Sequence, residues 1–316
     1  APADTTKGVI IADVNGDGLD DFIQAYAESG TSIYQTWLNN GAGWTSTSDF
    51  VPPILFNSGG TDEGVRAIDV NGDGLVDLIK SQTGPGATSA TYINDGDGWN
   101  SSSNWVTTMG FIQTNNASTD VGTRVGDFNG DGLPDLINGN SSPQFNNGTT
   151  GWTSSSWTTP VNIKDGVLVV DVNADGLDDL VQAYGTTPNT IQTWLNNGAG
   201  WTSTSDFASP LLFMDYNHID QGVRAIDMNG DGLVDLVSRM QYGDPVAYLN
   251  NGNGWTSSSY WAVPLNLITQ GSSDTGTRMG DFDGDGKIDF IDADNALYGI
   301  STSLFLHSKP KANLLS

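Results

Sequence analysis

The sequence predicts an all-β fold, a six-bladed β-propeller of four-stranded antiparallel blades, on three observations. One acidic nonapeptide occurs six times, from Asp13 to Asp21, Asp69 to Asp77, Asp127 to Asp135, Asp171 to Asp179, Asp227 to Asp235 and Asp281 to Asp289. A second signature follows it at a steady distance in Trp37 to Trp44, Tyr92 to Trp99, Trp194 to Trp201 and Tyr248 to Trp255, with a looser version in Phe145 to Trp152 and none in the sixth unit. Forty glycines, with Asn, Ser and Thr in excess, call for many turns and short strands.

The elements follow in order along each unit. An apolar run such as Val65 to Val70 enters the acidic loop and Asp77 to Lys80 leaves it, giving two strands. A third strand, Ala90 to Ile93 in the second unit, ends at a turn that is Asn-Gly in most units and suits a type I′ hairpin. The Trp or Phe segment beyond it is the fourth strand. The acidic copies start 56, 58, 44, 56 and 54 residues apart, a spacing that fits four-stranded blades. No stretch holds helical periodicity for long enough to build a helical solenoid. Residues 1–316 therefore form one domain, with blade motifs starting near 8, 64, 122, 166, 222 and 276 and a tail or linker at 308–316. Gln35 to Phe50 is identical to Gln192 to Phe207, so a block of three units was duplicated.

Composition narrows the function. With 37% hydrophobic residues and 15% charged ones, the chain can bury a core large enough to order itself. Its 37 acidic residues against 11 basic ones give a net charge of −26, and no basic stripe exists to neutralise phosphates. Nucleic acid and anionic membrane surfaces are therefore excluded as partners. No apolar run is long enough for membrane insertion. Without cysteine there is no disulfide framework and no thiolate chemistry. The chain opens at Ala1-Pro2-Ala3-Asp4 with no initiator Met and no signal-peptide core, as a trimmed piece of a larger secreted chain would.

Position within the acidic loop explains much of the acidity. Positions 1, 3, 5 and 9 carry oxygen side chains and position 7 offers a backbone carbonyl, which is the donor set a hard cation takes. The candidate Ca²⁺ ligands are Asp13, Asn15, Asp17, Leu19 and Asp21; Asp69, Asn71, Asp73, Leu75 and Asp77; Asp127, Asn129, Asp131, Leu133 and Asp135; Asp171, Asn173, Asp175, Leu177 and Asp179; Asp227, Asn229, Asp231, Leu233 and Asp235; and Asp281, Asp283, Asp285, Lys287 and Asp289. The glycine at position 6 permits the sharp turn around an ion. Nineteen of the 37 acids occupy these ligand positions, and six Ca²⁺ would bring the net charge to about −14. The competing explanation is that Asp, Asn and Gly simply make turns.

These loops, preceded by Gly-Val-Arg or Gly-Thr-Arg in four units, resemble FG-GAP/VCBS repeats, the family that builds the integrin α-subunit propeller. The resemblance spans essentially the whole chain and implies calcium in a hairpin loop between the first two strands of each blade. The Phe-Gly and Gly-Ala-Pro landmarks are not evident, so integrin-type ligand binding does not carry over. The end of the chain, Phe305 to Ser316, resembles the segment joining such a region to the YD shell of secreted YD-repeat (RHS) proteins and toxin-complex B components.

Eight of the ten tryptophans, Trp44, Trp99, Trp105, Trp152, Trp157, Trp201, Trp255 and Trp261, recur near the hairpin and fourth strand. They pack one blade against the next or, alternatively, stack on sugars. Arg66, Arg124, Arg224 and Arg278 each stand three residues before a loop and pair with a carboxylate of their own or a neighbouring blade. Only His218 and His307 exist, neither beside a nucleophile motif, so no enzyme is expected. The expectation is an extracellular or cell-surface, calcium-stabilised binding or scaffold module with a protein or glycan ligand. The alternative is a calcium-dependent multivalent lectin using the repeated Trp and Asn sites.

Overall fold

Strands form where the repeat places apolar residues between Gly and Asn turns, and their burial shows how the blades stack. In the computed structural model, which describes residues 2–114, 119–139, 141–269, 274–294 and 301–306, second strands such as Asp21–Glu28 and Asp179–Tyr184 begin with five consecutive buried residues. Burial on both faces, instead of the alternation of a half-solvated sheet, means that each sheet is sandwiched between two others.

The architecture is an all-β propeller with five four-stranded antiparallel blades. Blade 1 runs Val9–Ala12, Asp21–Glu28, Thr31–Asn39 and Trp44–Thr47; blade 2 runs Val65–Ile68, Asp77–Thr83, Ser89–Asn94 and Trp99–Ser102. Blade 3 comprises Arg124–Gly126, Asp135–Ile137, Gln144–Asn146 and Trp152–Ser154. Blade 4 comprises Val167–Val170, Asp179–Tyr184, Thr190–Asn196 and Trp201–Thr204, and blade 5 Val223–Ile226, Asp235–Ser238, Val246–Asn250 and Trp255–Ser258. In blades 1 and 2 a short hairpin, Asn57–Ser58 with Thr61–Asp62 and Ile112–Gln113 with Thr119–Asp120, adds in parallel to the second strand.

The expectation of six such blades is corrected to five. The sixth acidic loop belongs to a three-stranded sheet, Arg278–Gly280, Asp289–Asp294 and Ser301–Phe305. The physical reason is the missing second signature: without an Asn-Gly turn and its Trp segment, the described residues supply no fourth strand. Residues 308–316 lie outside the described residues, as does His307.

Among the described residues six apolar clusters form the core, and each bridges two successive sheets. One joins blades 1 and 2 through Val14, Ile23, Phe56, Val65 and Leu78; another joins the last sheet to blade 1 through Phe282, Ile291, Ala3 and Phe22. There the Phe22 and Phe282 rings stack with centroids 6.3 Å apart, and the Trp44 ring meets Phe22 edge-on at 4.5 Å. None of the ten tryptophans is exposed, and Trp105 is 7% exposed. The indole N–H of Trp99 donates to Phe50 O (2.8 Å), that of Trp152 to Trp105 O (2.9 Å) and that of Trp255 to Phe207 O (3.0 Å), in each case a carbonyl of the preceding blade. The repeated tryptophans are thus inter-blade packing.

A buried amide latches each blade to the one before. Asn94 Nδ2 donates to Val14 O (2.8 Å), Asn146 Nδ2 to Val70 O (2.7 Å), Asn196 Nδ2 to Phe128 O (2.8 Å), Asn250 Nδ2 to Val172 O (2.8 Å), and Asn39 Nδ2 to Phe282 O (3.0 Å). Replacing Asn94 by Ala leaves the Val14 carbonyl buried without this donor, at a cost of about 1–3 kcal/mol. Thermal unfolding of Asn94→Ala followed by circular dichroism is expected several degrees below the parent protein, and an unchanged midpoint would mean that the latch contributes nothing.

Candidate metal centre

Each acidic loop alternates between core and solvent. The residue at position 2 (Val14, Val70, Phe128, Val172, Met228 or Phe282) is buried, while positions 4 to 6 are exposed. That alternation turns positions 1, 3 and 5 to one side of the loop. Asp13 Oδ1 accepts from Gly16 N (2.8 Å) and Asp17 N (3.2 Å), and its Oδ2 from Gly18 N (2.8 Å); Asn15 Oδ1 accepts from Asp17 N (3.0 Å) and Asp17 Oδ1 from Leu19 N (3.0 Å). Closely similar bonds hold the loops starting at Asp69, Asp127, Asp171, Asp227 and Asp281.

In the last loop Asp281, Asp283 and Asp285 each bring a carboxylate oxygen within 4.8 Å of the others. An all-oxygen set at that spacing fits a hard divalent cation, which draws such oxygens to roughly 2.3–2.6 Å. In the other five loops the middle member is Asn15, Asn71, Asn129, Asn173 or Asn229, whose Nδ2 donates to the position-5 carboxylate, as Asn15 does to Asp17 (3.1 Å).

Position 9 has a different setting from positions 1, 3 and 5. Asp21, Asp77, Asp135, Asp179, Asp235 and Asp289 are fully buried. Asp21 Oδ2 accepts from Val14 N (3.1 Å) and Oδ1 from Asn39 N (2.7 Å), tying the loop to the third strand's end; Asp77, Asp135, Asp179 and Asp235 do the same in their blades. Asp289 is not among the carboxylates that meet in the last loop. Burial raises these carboxyls, to about 7 for Asp21, Asp135 and Asp179 and about 6 for Asp77 and Asp235; the backbone N–H bonds oppose the rise, and the acids at positions 1 and 5 add to it.

Position 7 serves the ring. Leu75 Cδ2, Leu133 Cδ2, Leu177 Cδ2 and Leu19 Cδ2 lie over the position-4 glycine of the preceding loop, Gly16, Gly72, Gly130 and Gly284 respectively. Lys287 differs: its stem lies against Gly230 while its ammonium meets Asp285 Oδ2 at 2.5 Å, so a cationic group stands inside the most acidic loop.

Position 8 was not singled out in the sequence. Asp178 Oδ2 accepts from Asp127 N (2.8 Å) and its own N–H donates to Asp127 O (2.8 Å), while Asp20 makes the same clasp on Asp281 (2.8 and 3.1 Å). A Cβ at Gly126 or Gly280 would stand 2.6 or 2.5 Å from these carboxylates, so glycine is required there. The signal was present: only units 3 and 6 read Gly-Asp-Phe, and only the units that follow them, 4 and 1, carry Asp at position 8.

Each of the four arginines sits in the first strand of one sheet and pairs with an aspartate on the hairpin or bridge attached to the preceding blade, Arg66 with Asp62 (3.1 Å), Arg124 with Asp120 (2.8 Å), Arg224 with Asp220 (3.0 Å) and Arg278 with Asp274 (2.8 Å). Burial alone would raise Asp120 and Asp274, but the guanidinium on each, with that of the preceding blade, brings both below the ordinary value. The His218 ring lies tilted against that of Tyr184, with centroids 5.1 Å apart, and meets Asp165 at 3.2 Å on an exposed surface.

Residues 3–79, 171–238 and 227–291 match the FG-GAP-like repeat family, more than half of the chain, and the protein belongs to that family. No curated protein matches it. Among solved structures it is similar to the SapL1 lectin, whose structure is a complex with alpha methyl fucoside, at 14% identity over 96% of this chain and 99% of that one, with a TM-score of 0.43.

One loop breaks the pattern. Where the others carry glycine at position 4, the fourth has Ala174, held at φ +60°. A left-handed conformation costs an L-residue about 1–2 kcal/mol. Ala174→Gly is expected to stabilise the protein by about 0.5–1 kcal/mol after the entropy glycine adds to the unfolded chain. Gly72→Ala, at φ +74° with Leu133 Cδ2 2.8 Å from the new Cβ, is expected to destabilise it by about 1–2 kcal/mol. Urea titrations that gave both variants the same sign would contradict this account.

Proposed function

We propose that this propeller is a calcium-stabilised, non-enzymatic binding or scaffold module that works outside the cell. The observation that carries the reading is the meeting of Asp281, Asp283 and Asp285 oxygens within 4.8 Å, in a loop whose backbone is repeated five more times along the chain. Carboxylates so close repel one another when ionised, and a divalent cation between them removes that repulsion. Positions 1, 3 and 5 of each loop, with the position-7 carbonyl, would hold the ion. The position-9 carboxylate would support it, its buried charge being favoured by the cation alongside.

Calcium then becomes part of the fold's stability. With Kd near 10⁻⁴ M, as for extracellular modules, about 1 mM Ca²⁺ contributes roughly 1.4 kcal/mol per site. Six sites give about 8 kcal/mol, comparable to the whole net stability of a domain, about 5–15 kcal/mol. Cytosolic calcium would leave such sites empty, which is the reason for the extracellular placement. The repeated tryptophans do not favour a multivalent lectin, since their rings are spent on packing, and a ligand would use other surfaces.

Melting in millimolar calcium is expected at least about 10 °C above melting in excess EDTA. Asp17→Ala and Asp73→Ala should each lower the calcium-loaded midpoint and reduce the number of ions bound by one in calorimetric titration. Equal midpoints in the two buffers would show that the loops are ordinary turns.

A further inference from the structure

The last acidic loop departs from its five sisters at positions 3 and 7, and the two changes meet on one oxygen. In the other loops the position-3 asparagine donates its Nδ2 to the position-5 carboxylate: Asn15 to Asp17 Oδ2 (3.1 Å), Asn71 to Asp73 Oδ2 (2.7 Å), Asn129 to Asp131 Oδ2 (3.1 Å), Asn173 to Asp175 Oδ2 (3.0 Å) and Asn229 to Asp231 Oδ2 (2.9 Å). Position 3 of the last loop is Asp283, which has no N–H to give when ionised. There Lys287 Nζ donates instead, to the corresponding oxygen, Asp285 Oδ2 (2.5 Å). Position 7 is leucine in every other loop, so one exchange removes a donor and adds a negative charge, and the second restores the donor and cancels the charge.

That oxygen is the one an ion would need. Asp285 Oδ1 already accepts from Lys287 N (3.0 Å), just as Oδ1 at position 5 accepts from the position-7 N–H in the other five loops. Oδ2 is therefore the position-5 oxygen left for a cation held with Asp281 and Asp283. An asparagine in its way can turn its amide and offer an oxygen, because the group carries both donor and acceptor. An ammonium carries donors only. Nor can it stay beside a divalent ion, since Ca²⁺ draws carboxylate oxygens to roughly 2.3–2.6 Å and would stand within a few Å of a second positive charge.

The lysine has a path out of the loop. Its stem lies over Gly230 of the preceding loop, as leucines lie over the corresponding glycines elsewhere, while Asp283, Gly284, Asp285 and Gly286 beside it are exposed. Rotation about the outer bonds of this flexible side chain carries the ammonium into water and leaves the inner stem where a leucine would be. Without metal the same ammonium relieves the repulsion among carboxylates that an extra acid would otherwise worsen. Among the described residues it is the one lysine that meets a carboxylate of an acidic loop; Lys7 and Lys80 pair elsewhere, with Glu28 (2.7 Å) and Glu63 (2.8 Å).

We propose that Lys287 is the resident counter-ion of the last loop and that calcium binds there by exchange, displacing the ammonium into solvent. Such an exchange regulates the metal site proposed above and rests on that reading. The test is acetylation of the intact protein with an amine-reactive ester, read at each lysine by peptide mass spectrometry across a calcium titration. Lys287 is expected to label about two- to fivefold faster in millimolar calcium than in EDTA, the range released when an exposed ion pair is broken, while Lys7 and Lys80 label alike in both. Asp69→Ala, which disables a different loop, should leave that response in place. Lys287→Leu, which installs the residue of the other five loops, should widen the gap between melting in EDTA and melting in calcium, because the metal-free loop loses its counter-ion and calcium no longer has one to displace. Lys287 labelling that calcium leaves unchanged or slows, a response lost in Asp69→Ala, or a melting gap that Lys287→Leu leaves unchanged or narrows would overturn the proposal. If calcium still raises the melting temperature of the parent protein in that case, the exchange fails alone; if it does not, the calcium-stabilised module fails as well.

Discussion

In each of the five blades a fully buried aspartate at the end of the acidic loop gathers three pieces of chain. Asp77, for example, takes the Val70 N–H (3.0 Å) on one oxygen and the Asn94 N–H (2.8 Å) on the other. Because Asn94 is fixed in this way, its side chain reaches the Val14 carbonyl of the preceding loop (2.8 Å). Loop, hairpin and neighbouring blade are therefore set by one carboxylate. A buried, hydrogen-bonded charge of this kind is costly to break, since removing it strands two buried backbone donors at once.

The same arrangement explains why acidity and stability conflict here. The carboxylates at positions 1 and 5 raise the buried one beside them, and burial raises it further. A cation lodged among positions 1, 3 and 5 would reverse the first effect and offset the second. The last loop has a partial substitute in the Lys287 ammonium against Asp285. That loop also carries the extra carboxylate, Asp283, so the added negative and positive charges accompany one another.

Much of this was legible in the sequence, because periodicity and spacing are local properties. The acidic loops, the strand on either side of them, the hairpins at Asn-Gly and the pairing of Arg66, Arg124, Arg224 and Arg278 all follow from residues a few positions apart, although the hairpin turns are longer than the expected type I′ turn, running from Asn39 to Trp44 and from Asn94 to Trp99 with no asparagine at positive φ. Six four-stranded blades did not, although the missing Trp signature of the last unit marked the difference. The task of position 9 was hidden, since its partners Asn39 and Val14 come from 18 and 7 residues away and can be recognised only once the strands are paired.

The duplication gives the two ends of the molecule different freedom. At the loop end, Asp178 on Asp127 and Asp20 on Asp281 repeat one clasp at the two junctions between three-unit blocks, one of which is where the last sheet meets the first blade. Any change there must satisfy the next loop's leucine, the next blade's asparagine and the glycine under the clasp, so the copies have stayed alike. Ser81 and Arg239 lie four residues beyond the buried aspartate, toward the far end of the second strand and away from these latches. A serine there could become an arginine without disturbing the latches. Divergence of the two copies is therefore expected at that end, while the acidic loops remain alike.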